Sequence, residues 1–302
     1  MADRVKVMMS SYNGARYIKE QIDSIIAQEN VLVDLFIRDD GSVDGTIDIL
    51  REIEAQHKNV NVCFANNVGP CRSFLELLFS DDSIEFDYYA FSDQDDIWMP
   101  DKLKRAIECI EDETKPALYY SALLTFQEAT GKKQVVSNER EYSFAESFFQ
   151  SHYPGCTMVW NRAGMKLIQG ISKPNTAIMH DLFLVQVFMG TDNKIIYDKE
   201  SKIKYRIHGD NLSVKKDNLA GEILRYRKIL KNQKNLRYRS AKAYREVMGN
   251  RLAGDKLKII NTIVEYNKTF ASRCMLAKMI SHTKFTAKTK VVFILAVLAG
   301  FY

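Results

Sequence analysis

The sequence predicts an α/β fold, a mostly parallel sheet flanked by helices over residues 1–218, followed by a basic helical region over residues 219–302. Three observations lead to this. Short apolar runs alternate four times with segments of helical spacing, the pattern of parallel strands joined by crossover helices. Two of those runs stop abruptly in acidic clusters. The charge balance then changes sign: Glu222 to Lys290 holds 18 Lys or Arg against 4 Asp or Glu, whereas the first 221 residues hold 25 basic and 34 acidic side chains.

The elements follow in order. Val5, Val7, Met8 and Met9 form a first strand that ends at Ser10-Ser11-Tyr12-Asn13-Gly14, and Ile18, Ile22, Ile25 and Ile26 recur at helical spacing. Leu32, Val33, Leu35, Phe36 and Ile37 form a second strand; Ile47, Leu50 and Ile53 mark the next helix, starting near Thr46. Val60, Val62 and Phe64 alternate as a third strand, and Phe74, Leu75, Leu77 and Leu78 continue as helix. Tyr88 to Ser92 is the fourth strand, with Leu103, Ile107 and Ile110 on the helix after it. Leu118 to Phe126 and Gln134 to Ser137 then read as strands around a turn at Thr130-Gly131. Phe144 to Trp160 is aromatic-rich, Leu182 to Phe188 is helical, Ile195 to Tyr197 is a short strand, and Tyr205 to Asn211 closes the compact part. Beyond Asn218 the chain is helical and basic, with Tyr226, Tyr238, Tyr244, Tyr266 and Phe270 between Lys and Arg.

The two acidic clusters carry the chemistry. The fourth strand runs into Asp93-Gln94-Asp95-Asp96. Carboxylates this close repel and raise one another's pKa. A hard cation, Mg²⁺ or Mn²⁺, removes that penalty and holds phosphate oxygens in turn. The second strand runs into Asp39-Asp40-Gly41-Ser42-Val43-Asp44-Gly45-Thr46. The glycines suit a tight turn, and Asp44 or Thr46 suits a helix cap. The adjacent Asp39 and Asp40 are not explained by a turn, and ligands of open α/β sheets bind beyond the strand carboxyl ends. The plainer alternative for the first cluster is a solvated turn before a helix opened by Pro100.

Composition narrows the function. At 46% hydrophobic and 27% charged, the bulk of the chain is globular. No secretory leader is expected, because Val5 to Met9 is too short an apolar stretch. The five scattered cysteines lack Cys-x-x-Cys spacing, which argues against zinc and for reduced thiols. No Gly-x-Gly-x-x-Gly follows the first strand, which disfavours a dinucleotide oxidoreductase. Val291 to Leu298 is too short to span a bilayer.

The strings Ser10 to Gly14, Asp39 to Thr46 and Asp93 to Asp96 together resemble the inverting family 2 glycosyltransferases of GT-A (nucleotide-diphospho-sugar transferase) fold, across roughly the first two-thirds of the chain. With Phe91-Ser92, Ile97-Trp98, His180-Asp181 and Arg206-Ile207-His208-Gly209-Asp210-Asn211 the similarity narrows to the bacterial rhamnosyltransferase branch. Leu182 and Ile207 depart from its usual aromatic residue and Gln.

The resemblance implies roles. Ser11, Tyr12, Asp39, Asp40, Asn67, Arg72 and Asp93 would hold the donor nucleotide, with Asp40 on the base N–H. Asp93, Asp95 and His208 would hold Mn²⁺ or Mg²⁺. Asp96, Trp98, Gly155, Cys156, Thr157, His180 and Arg206 would line the acceptor or sugar side, and Asp181 would be the catalytic base. Read only as residues, Asp181 is equally a helix cap, Trp98 a core residue, Gly155 a turn glycine and Arg206 a partner for a local carboxylate. The implied donor is dTDP-L-rhamnose, or else a UDP-hexose, and the implied acceptor a cell-surface glycan or one borne on polyprenyl diphosphate. That places the protein in the cytoplasm, peripheral at the inner face of the plasma membrane. The basic tail suits an anionic membrane surface or a homodimer contact. Two other readings stand beside this one: a sugar-phosphate nucleotidyltransferase, which lacks its Gly-rich basic loop here, and a nucleic-acid-binding protein working through the tail.

Overall fold

A computed structural model describes residues 2–80, 86–128, 130–137, 139–149, 152–208 and 236–302. Gly209, Asp210, Asn211 and the first part of the basic tail, including Tyr226, lie outside the described residues. The chain packs as two compact units: Met1–Glu139, Tyr153–Ile171 and Asp192–Asn211 in the first, and Arg140–His152, Ser172–Thr191 and Leu212–Tyr302 in the second.

The first unit alternates as its sequence predicts: β1 (Asp3–Ser11), α1 (Ile18–Ile26), β2 (Val31–Asp39), α2 (Thr46–Gln56), β3 (Val60–Phe64), α3 (Pro70–Leu78), β4 (Tyr88–Ser92), β5 (Ile97–Trp98) and α4 (Lys102–Glu108). Then come β6 (Ala117–Ser121), β7 (Leu123–Gln127), β8 (Lys133–Val136), β9 (Val159–Asn161), α6 (Arg162–Gln169), β10 (Lys194–Asp198) and β11 (Ile203–Ile207). Seven strands form one sheet in the order β10-β6-β9-β4-β1-β2-β3, all parallel except β9. Their inward side chains, Val5, Val7, Ile37, Leu35 and Ala90 among them, pack against Ile18, Ile22, Leu50 and Leu103 of the helices. The register sets Ser11 opposite Asp39 and Met9 opposite Ser92. Both acidic clusters therefore leave the sheet at its carboxyl end, from the two strands that flank β1.

Strands β5, β9 and β11 are not among those the sequence predicts, and one predicted strand divides in two. Leu118 to Phe126 is two strands, because the chain breaks at Ala122, whose N–H donates to Asp198 O at 2.9 Å. The second half joins a smaller sheet, β5-β11-β7-β8, in which β11 runs beside both β5 and β7. The three-residue β9 lies inside the aromatic stretch, where Trp160 packs on Tyr89 and Phe91.

The second unit is helical: α5 (Phe144–Ser147), α7 (His180–Gly190), α8 (Leu236–Met248), α9 (Gly254–Glu265), α10 (Phe270–Ser281) and α11 (Ala287–Leu298). Ser143 and Glu146 form a reciprocal cap on α5, and Glu146 also accepts from Lys284 N at 2.6 Å and pairs with Arg140. Buried Tyr244 of α8 donates to Gln186 O of α7 at 2.8 Å. It approaches so closely that a Cβ at Gly190 would lie 2.1 Å from its hydroxyl oxygen. Gly190→Ala should therefore destabilise the fold by roughly 2 kcal/mol through overpacking, and adding Tyr244→Phe should recover part of that loss. A thermal melt in which Gly190→Ala matches the parent would contradict this packing.

Candidate functional site

The site begins with a turn whose carboxylates are fully used. Asp39, wholly buried at the end of β2, accepts hydrogen bonds from Ser11 Oγ (2.9 Å), Ser42 Oγ (2.6 Å) and the amides of Ser42 (2.9 Å) and Gly41 (3.2 Å). Asp40 pairs with Arg38 and accepts from Gly69 N at 2.8 Å and Val68 N at 3.0 Å. Arg38 also donates to Asn66 O at 3.1 Å. Asp40 thus fixes the loop ahead of α3, and any contact to a base N–H would be made alongside those bonds. Asn67 and Arg72 lie exposed on that loop and on the first turn of α3; Asn67 Oδ1 accepts from Gly69 N, and Arg72 pairs with Glu76.

The loop after β1 is tied to the turn after β2 by side chain to main chain bonds: Asn13 N to Ser42 Oγ (2.8 Å), Gly14 N to Thr46 Oγ1 (2.8 Å), Ala15 N to Asp44 Oδ2 (3.1 Å) and Val43 N to Asn13 Oδ1 (2.9 Å). On its other side, Gln94 makes a two-way amide bond with the backbone of Tyr12, at 2.9 and 3.0 Å. A Cβ at position 14 would sit 2.4 Å from Gln94 Oε1, so Gly14 is what lets Gln94 lie there. The Tyr12 ring remains exposed beside this junction.

The acidic strand end is held by β11. Arg206 is buried; its amide donates to Asp96 Oδ1 (3.1 Å) and its Nε to Asp95 O (2.9 Å). Its terminal nitrogens reach Glu20 and Glu128, each at 2.5 Å, and its guanidinium lies between the rings of Tyr17 and Phe126. Its charge is answered by glutamates, and its geometry fixes the carboxylate loop. His208 Nε2 lies 2.9 Å from Asp95 Oδ2, with its ring against Tyr17.

Asp93, Asp96 and the Cys156 thiol bring their ligand atoms within 4.8 Å of one another. Burial first, then Asp93 and Asp95, push the Asp96 carboxyl well above the usual range. Its Oδ2 is buried without a hydrogen bond of normal geometry. Burial and Asp96 also push the Cys156 thiol up, so it stays protonated. Lys102 lies 3.6 Å over the Trp98 ring, and burial lowers its ammonium to about 7. Trp98 itself is buried in the core of the first unit.

Gly155, Cys156 and Thr157 form a buried turn before β9, in which Thr157 Oγ1 donates to Pro154 O and accepts from Ser121 N. His180 and Asp181 belong to the second unit, in the first turn of α7. Burial lowers the His180 imidazole to about 3, so it is neutral. The N-cap of α7 is Met179, so Asp181 is not the cap; its Oδ1 accepts from Leu182 N at 2.6 Å.

The sequence pattern of glycosyl transferase family 2 matches residues 6–172, more than half of the chain. The chain belongs to that family. As a family 2 member of GT-A fold it is a glycosyltransferase. It is 35% identical over 214 residues to the dTDP-rhamnosyl transferase RfbG of Shigella flexneri, covering 67% of this chain and 72% of that one. In structure it resembles S. aureus TarS 1-349 in complex with UDP (TM-score 0.57, 15% identity, 99% of this chain and 80% of that one). It also resembles the mannosyltransferase PcManGT of Pyrobaculum calidifontis in complex with GDP-Man and Mn²⁺ (TM-score 0.53, 14% identity, 100% of this chain and 81% of that one).

The donor set of this glycosyltransferase fits a hard divalent cation on its oxygen side. Asp93 and Asp96 bring carboxylate oxygens within 4.8 Å of one another, and the buried Asp96 Oδ2 is an oxygen that a cation would satisfy. The protonated Cys156 thiol does not fit such an ion.

The local sequence around the motifs does not reveal Glu20, Glu128 or Tyr17. Arg206 is the residue they serve, and Arg206→Met should leave Glu20 and the Asp95 carbonyl without this partner, while Glu128 keeps Arg16 and Tyr17. We expect a loss of about 1–2 kcal/mol in chemical denaturation, since both glutamates are partly open to solvent, and weaker divalent-ion binding; a variant as stable as the parent would contradict the anchoring role.

Proposed function

We propose that the chain is an inverting, metal-assisted rhamnosyltransferase. In this reading L-rhamnose moves from dTDP-L-rhamnose to a cell-surface polysaccharide or lipid-linked glycan. The observation that supports the sugar most directly is the 35% identity to a dTDP-rhamnosyl transferase over 72% of that protein's length. A UDP-hexose donor is the second reading, favoured by likeness to a protein bound to UDP. Residues 1–218 would do the chemistry and 219–302 would locate it, at the inner face of the membrane if the acceptor is lipid-borne.

Inverting transfer is one in-line displacement at the anomeric carbon. It needs a base on the incoming hydroxyl and stabilisation of the departing diphosphate. A bound Mn²⁺ or Mg²⁺ supplies the second by neutralising developing charge, and Asp93, Asp95 and His208 would hold it. We assign the base to Asp181, which takes the acceptor hydroxyl proton as the new glycosidic bond forms. Neutral His180 beside it adds no positive charge that would weaken that base. Tyr12 would offer its exposed ring to the base of the donor. Ser11, Asp39, Asp40, Asn67 and Arg72 would shape the nucleotide pocket, chiefly by fixing its backbone.

Calorimetric titration with dTDP, UDP and GDP, with and without Mn²⁺, should show metal-dependent binding that favours dTDP and fails in Asp95→Ala. A preference for UDP would move the donor to a UDP-hexose, and no binding at all would overturn the donor site. Asp181→Asn should keep dTDP affinity within about twofold while lowering transfer by roughly 10² to 10⁴; undiminished turnover would remove Asp181 as the base.

A further inference from the structure

We propose that the outward faces of α10 and α11 form a docking surface for an anionic lipid bilayer. On α10 the exposed residues include Phe270, Cys274, Met275 and Lys278; on α11 they include Lys288, Val291, Val292 and Leu295. These spacings put each set on one face of its helix. The exposures are large for apolar side chains, 69% for Phe270, 62% for Met275 and 61% for Leu295. The inward faces already have their own core: Leu276 and Ile280 on α10 and Val297 on α11 are fully buried, and Phe293 packs on Phe149 and Phe285. The outward residues are thus not needed to hold the helices in place.

Charge selects the occupant. From Tyr266 to Tyr302 the sequence holds six Lys or Arg and no Asp or Glu. A second copy docking through the same face would bring like charges together with no carboxylate to receive them. An anionic bilayer offers an apolar layer to Phe270, Met275, Val291 and Leu295 and head groups to Lys278 and Lys288, whose stems can lie along it. At twelve residues α11 is about 18 Å long, which suits lying in the interface and not crossing it. Among the described residues no helix is long and apolar enough to cross a membrane. The proposal rests on the preceding reading only for its purpose, a lipid-borne acceptor.

The test is flotation of the full chain with vesicles of equal parts phosphatidylglycerol and phosphatidylcholine, against phosphatidylcholine alone. The parent should float with the anionic vesicles and be released by salt. Val291→Ser with Leu295→Ser, and separately Lys278→Glu with Lys288→Glu, should each weaken binding by about tenfold or more. These positions are exposed, so melting temperature and dTDP titration on the same samples should be unchanged. Undiminished binding by both variants overturns the proposal. So does a dimer in sedimentation velocity that the same substitutions abolish. Loss of dTDP binding in the parent, with vesicle binding still sensitive to these residues, would sink the donor assignment and leave this surface standing.

Discussion

Carboxylates crowded at the end of a buried strand set the terms for the rest of the first unit. Asp93, Asp95 and Asp96 fall within four consecutive positions, and Asp96 is fully buried. Their mutual repulsion would open the loop unless its backbone were fixed from outside. Arg206 does this through its amide to Asp96 and its Nε to the Asp95 carbonyl. The arginine is kept from neutralising the carboxylates by Glu20 and Glu128, which take its terminal nitrogens. Lys102, the nearby buried cation, is drawn toward neutrality by its burial. The acidic strand end is thus held in place without an arginine neutralising its carboxylates, and the charge of a bound cation would relieve their crowding.

The turn at Asp39 and Asp40 follows a different logic. Its two aspartates are buried and bonded to backbone amides and serines, so they act first as architecture. Asp39 closes its own turn, and Asp40 with Arg38 closes the loop before α3. Gln94 then links the loop after β1 to the acidic strand end. The loops after β1 and β2 and the acidic strand end are thereby joined into one cross-braced rim. Such a rim lowers the ordering penalty when a ligand binds.

Much of this was legible in the sequence because the signals are local. Strand and helix alternation, the two acidic strand ends and the turn glycines are each written within about ten residues. What stayed hidden depends on chain-distant partners. Glu20 and Glu128 look like ordinary surface glutamates until β11 places Arg206 between them. β9 is three residues long, too short for any period to show, yet it sits in the middle of the main sheet. Trp98, Cys156 and Thr157, which the resemblance would place on the acceptor or sugar side, are buried. Hydrophobic or small residues next to a motif carry no sequence mark that separates lining from support.

The central claim is that the acidic strand end is a cation site completed by the donor diphosphate. The most direct measurement is electron paramagnetic resonance of free aqueous Mn²⁺ during titration with the purified chain, with and without dTDP. The account predicts about one Mn²⁺ bound per chain, tightened by dTDP and lost in Asp95→Asn. Mn²⁺ that remains free at every protein concentration, or binding that Asp95→Asn leaves intact, would contradict it.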